Sequence, residues 1–113
     1  MNKRTRVLTA MNGGEVDHVP AGFWFHFAGE EAAGEACINA HLKYYRETDL
    51  DFVKIMCDGY FPWPIQEKIQ CAADWKKLKP LEENHPFIRE QVQRAKKIVE
   101  EIGSERCVCY NVF

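Results

Sequence analysis

The sequence predicts an α/β fold: about three parallel strands with flanking helices, the start of an α/β barrel or a small open α/β sheet. Three observations lead there. Stretches with helical periodicity alternate with short, nearly continuous apolar stretches along the whole chain. Apolar stretches of that kind read as strands buried on both faces, which belong to parallel sheets joined by helical crossovers. Finally, 113 residues make one domain of ordinary size, well short of the roughly 250 that a closed eight-stranded barrel takes.

Each element has its own signals. A first helix is expected from about Thr5 to Asn12, capped by Thr5, with Val7, Leu8 and Met11 as its apolar stripe and Gly13-Gly14 ending it. A loop through Pro20 leads into Ala21-Gly22-Phe23-Trp24-Phe25-His26-Phe27, a short aromatic run expected to be the first strand. The second helix is expected over Glu31 to Glu47, with Gly34, Cys37, Ile38, His41, Leu42 and Tyr45 on one face. Glu30, Glu31 and Glu35 sit near its N-terminus, where the helix dipole favours negative charge.

Phe52-Val53-Lys54-Ile55-Met56-Cys57 is the second expected strand, followed by a turn-rich loop from Asp58 to Pro64. A weaker helix is expected over Ile65 to Cys71, and Asp74 to Asn84 reads as polar and irregular. The next helix carries the clearest signals: Asn84 as cap, Pro86 in the first turn, a buried face of Ile88, Val92, Ala95, Val99 and Ile102, and Gly103 as the stop. Cys107 to Phe113 is the third expected strand.

Composition narrows the function classes. With 46% apolar and 28% charged residues the chain is neither disordered nor fibrous, and a net charge of −2 gives no electrostatic reason to expect nucleic acid or an anionic membrane as partner. No apolar run approaches the roughly 20 residues of a membrane helix. No apolar stretch of a secretory leader follows the basic start Met1 to Arg6, so a cytoplasmic location is expected. The five cysteines are odd in number and lack a Cys-x-x-Cys, so free, mostly buried thiols are expected.

In α/β proteins reactive groups lie at the carboxyl ends of parallel strands. That singles out His26 at the end of the first expected strand, Asp58 and Tyr60 after the second, and Asn111 in the third. Asp58 reads either as a carboxylate that binds a cation or accepts a proton, or as a turn aspartate beside Gly59. His26 reads either as an acid, base or hydrogen-bond donor, or as a core histidine. His41, on an apolar helix face, reads as a packed, hydrogen-bonded side chain. Cys107 and Cys109 alternate on a strand, which points both thiols to one face. Two thiols fall short of the usual zinc ligand set, and no metal site is assigned to the chain.

The succession of these motifs resembles the uroporphyrinogen decarboxylase superfamily. Thr5 to Pro20 is similar to its opening, a helix of the form Arg-Val-Leu-x-Ala-Leu followed by Gly-x-x-x-Asp-Arg-x-Pro. Phe23 to Gly29 resembles its first strand, and Asp51 to Asp58 its second strand with a terminal aspartate. Trp75, Leu78 and Leu81, then Gly103 and Val108 to Phe113, resemble the path to the third. The resemblance covers nearly the whole chain. It implies the N-terminal third of a (β/α)8 TIM barrel, in a single partial domain over residues 1–113.

It also implies chemistry: tetrapyrrole decarboxylation, or corrinoid-dependent methyl transfer between cobamides and thiols. Asp58 matches the aspartate that contacts substrate pyrrole nitrogens, where a carboxylate stabilises the protonated, electron-accepting ring. Where the decarboxylases carry Arg-Gln-Ala-Gly, this chain has His26-Phe27-Ala28-Gly29 and so lacks the permanent bidentate cation that meets substrate carboxylates. The methyltransferase branch is therefore favoured, with Asp58 catalytic and His26 and Tyr60 binding substrate. The implied partner is a small tetrapyrrole or corrinoid, free or on a corrinoid protein; cobamide and zinc belong to a complete barrel, and this chain alone is expected to be inactive. The alternatives are porphyrinogen decarboxylation in the full enzyme, and a non-catalytic α/β module that self-associates through open sheet edges.

Overall fold

The computed structural model describes residues 1–56 and 67–111. In chain order it has helix α1 (Lys3–Met11), a 3-10 turn (Gly29–Ala32), helix α2 (Gly34–Glu47), strand β1 (Phe52–Ile55), a second 3-10 turn (Ala72–Lys77), helix α3 (Pro86–Ile102) and strand β2 (Cys107–Tyr110). β1 and β2 pair in parallel, Phe52 opposite Cys107 and Ile55 opposite Tyr110, with α3 in the connection between them.

The core is one layer of two helices on one face of this ribbon. Ile38, Leu42 and Tyr45 of α2 and Ile98 and Ile102 of α3 pack on Val53 and Ile55, with Val108 and Tyr110 at its margin. A smaller cluster joins Phe27, Cys37, Ala40 and Met56. The α2 face is the one expected from its periodicity. Its start is shorter: Gly29–Ala32 forms a separate 3-10 turn, and the free N–H of Gly34 donates to the Glu90 carboxylate of α3 at 3.0 Å. At α1 the cap is Asn2, whose side chain accepts from the Thr5 N–H at 2.8 Å, and the helix begins earlier than expected.

The expected barrel portion with three strands is overturned: the described residues form two short parallel strands. Ala21 to Phe27 runs beside β1 without joining it. The Asp51 N–H donates to the Ala21 carbonyl at 2.9 Å, and there the ladder stops. Beyond it, backbone groups of Lys54 and of Met56, just past β1, are occupied by α2 side chains. The Tyr45 hydroxyl donates to the Lys54 carbonyl and accepts from the Lys54 N–H, both at 3.0 Å, and the Met56 N–H donates to His41 Nε2 at 2.8 Å. Buried backbone groups need one set of partners, and side chains already provide it. Phe23, Trp24 and Phe25, expected inside, are consequently exposed.

Three further expectations are corrected. Glu67 to Cys71 is not helical; the local helical turn follows it, organised by Asp74, which accepts from the N–H groups of Gln70 and Cys71 at 2.9 and 3.0 Å. α3 buries Gln91, Arg94, Ile98 and Ile102, while Val92 and Val99 are 62% and 49% exposed. The helix is turned toward the strand ends because Arg94 and Gln91 bond there. Of the described thiols, only Cys37 is buried.

Candidate functional site

The carboxyl end of β1 is held from both of its backbone polar groups. His41 takes the Met56 N–H, as above, and Arg94 Nη1 donates to the Met56 carbonyl at 3.2 Å. Both side chains are almost wholly buried. His41 Nδ1 lies 2.7 Å from the Cys37 carbonyl one turn back on α2, so Nδ1 carries the proton and Nε2 accepts, which fixes a neutral ring. Arg94 also donates to Gln91 Oε1 at 3.3 Å and to Glu90 at 3.1 Å, and the Tyr110 hydroxyl of β2 donates to the same Gln91 oxygen at 3.0 Å. The ends of both strands are thus tied into one polar cluster. Gln91 Nε2 and Arg94 Nε are buried donors in it with no partner among the described residues.

A second constellation lies at the opposite end of β1. Arg6 of α1 bonds Asp17 through Nε at 2.6 Å and Asp51 through Nη1 at 2.5 Å, and Nη2 donates to the Met1 carbonyl at 2.7 Å. The N-terminal amine donates to Asp17 at 3.2 Å. The Arg6 hydrogen bond is the largest cause holding the Asp17 carboxyl below the usual carboxylate range. Burial works against ionisation of Asp51, but the Ala21 N–H and Arg6 outweigh it, and its pKa is lowered as well. Arg6 and Asp51 are both buried. This network ties α1, the Asp17 loop and the start of β1 together, which is structural work.

The sequence-selected residues are distributed unevenly over this frame. His26 is exposed, in the non-strand stretch beside β1. Asp58 and Tyr60 lie outside the described residues. Asn111 directly follows β2. His41 is packed and hydrogen-bonded, as expected. Arg94 and Gln91 were missed. Their signal is the 91-94-98-102 spacing, a helical stripe as good as the more apolar one chosen.

No group of three or more potential metal-ligating His, Cys, Asp or Glu side chains occurs among the described residues, and no helix among them is long and apolar enough to cross a membrane. Compared with family models, curated proteins and solved structures, the chain matches none.

Proposed function

We propose that the chain is a segment of an enzyme of tetrapyrrole or corrinoid chemistry, similar to the uroporphyrinogen decarboxylase superfamily, and that the whole enzyme transfers a methyl group to or from a cobamide. The observation that carries this reading is the convergence of the motif residues. Arg6 and Asp17 of the opening motif and Asp51 of the second-strand motif, far apart in sequence, meet in one ion-paired network. The substitution of His26 where the decarboxylases hold arginine favours methyl transfer, since a histidine is a poor partner for the many carboxylates of a porphyrinogen.

The test is equilibrium binding to the whole enzyme of a cobamide, followed by its absorbance, and of a porphyrinogen, followed by anaerobic equilibrium dialysis with the colourless ligand oxidised afterwards to the absorbing porphyrin. Saturable cobamide binding that Asp58→Ala weakens supports the reading. Tighter binding of the porphyrinogen moves it to decarboxylation. Binding of neither overturns it.

A second reading, a self-associating module, is favoured by one observation. Val19, Phe23, Trp24 and Phe25 are 83%, 68%, 48% and 51% exposed, which concentrates apolar surface on one short segment. Light scattering decides it: a second copy docked there gives a dimer that Phe23→Lys dissolves, and a monomer at all concentrations removes the idea.

A further inference from the structure

The face of the β1–β2 ribbon turned away from the core carries Phe52, Lys54, Cys107 and Cys109, because the parallel register sets Phe52 beside Cys107 and Lys54 beside Cys109 while Val53 and Ile55 point into the core. α1 lies along part of this face. Between them is a groove of about 540 Å³ whose lining includes Arg4, Leu8, Met11, Phe52, Cys107 and Cys109. Both thiols are free, Cys109 exposed and Cys107 half-buried, and among the described residues the Cys107 thiol has a long contact of 3.9 Å to the Arg4 carbonyl.

We propose that Cys107 and Cys109, in a groove that Met11 also lines, form a binding site for a soft monovalent d10 metal ion, copper(I). The donor set selects the metal. Among the described residues, neither a carboxylate nor a histidine lines the groove, so it offers nothing to magnesium, calcium or manganese and too few ligands for tetrahedral zinc. Thiolate and thioether sulfur is the set that selects copper(I).

The reach fits as well. Alternate residues of a strand are about 6.6 Å apart along the chain, and two side chains leaning together span the roughly 4.6 Å of two metal–sulfur bonds. On binding, each thiol gives its proton to solvent and copper keeps its oxidation state. The resulting bis-thiolate centre is anionic, and two cations flank it. Arg4 lines the groove, and Lys54 stands opposite Cys109 in the strand register; burial raises the Cys109 pKa above the ordinary thiol value, and Lys54 offsets part of that rise. This inference is independent of the function proposed above.

The experiment is anaerobic titration of the reduced full chain with copper(I) against a chromophoric copper(I) chelator, with zinc in parallel. The expected result is a single copper(I) per chain, with Cys107→Ser and Cys109→Ser each weakening binding by roughly 100-fold or more. Met11→Leu weakens it less, and Cys71→Ser leaves it unchanged. Circular dichroism establishes that each variant is folded. Affinity rises with pH, since thiol protons are displaced. The proposal is overturned if the Cys107→Ser, Cys109→Ser double variant keeps copper as tightly as the parent, if binding follows Cys71, or if zinc displaces copper(I) at equal concentration.

Discussion

Replacing Tyr45 by phenylalanine tests the reason given for the missing third strand. The ring is 2% exposed, and the substitution removes only the hydroxyl, so no large cavity opens. What is lost is the bridge to Lys54: one donor and one acceptor of β1 lose their partner together. An unsatisfied buried polar group costs about 1–3 kcal/mol, which gives roughly 2–6 kcal/mol for the pair as an upper bound, because the site is only partly closed to water. For a domain near this size the upper half of that range lowers Tm by about 10 °C or more.

The assay is urea unfolding followed by circular dichroism, with Tyr44→Phe as control, since the Tyr44 hydroxyl donates to the Phe23 carbonyl at an exposed position. A Tyr45→Phe variant within about 0.5 kcal/mol of the parent, with an unchanged m value, would refute the claim that this hydroxyl closes the β1 edge. Alkali gives an independent readout. Burial raises the Tyr45 pKa above its usual value, so the folded state favours the neutral phenol. That contribution is present below the ordinary tyrosine pKa of about 10 and is lost as pH climbs through the folded value. Tyr45→Phe flattens this alkaline loss.

Two other outcomes are expected. Ile98→Ala, at a wholly buried position, costs about 2–5 kcal/mol, while Val99→Ala, half exposed, costs about 0.5 kcal/mol or less; urea midpoints in the reverse order would mean that α3 is rotated to the more apolar stripe. In acid, Asp51 and Asp49 have lowered pKa values in the fold, so their stabilisation is complete above the ordinary aspartate value of about 3.9 and disappears as pH falls through the folded values. Asp51→Asn should therefore be less stable at neutral pH and less sensitive to acid. An acid limb identical to the parent's would show that the Arg6 pairing does not favour the ionised carboxyl.

Much of the local structure was legible because it depends on neighbours in the chain. The α2 face, the stop at Gly103 and the two strand segments at Phe52 and Cys107 follow from periodicity, turn residues and apolar runs. Of the site, the buried role of His41 was legible from its place on an apolar face, while Arg94 and Gln91 were passed over because a polar residue on a helix is read as solvent-facing until something to bond is known. Arg94 is inside because the Met56 carbonyl, far away in sequence, is there to receive its proton donor.

The sequence by itself determined where α2, α3, β1 and β2 form and that β1 and β2 are separated by a helical connection. The tertiary structure decided how many strands pair and which face of α3 is buried. An aromatic run becomes a strand only when a neighbour has free backbone groups to offer. Here the edge of β1 beside Ala21 to Phe27 is already taken by Tyr45 and His41. Competition for the same hydrogen bonds is a property of positions in space, and no pattern within either segment encodes it.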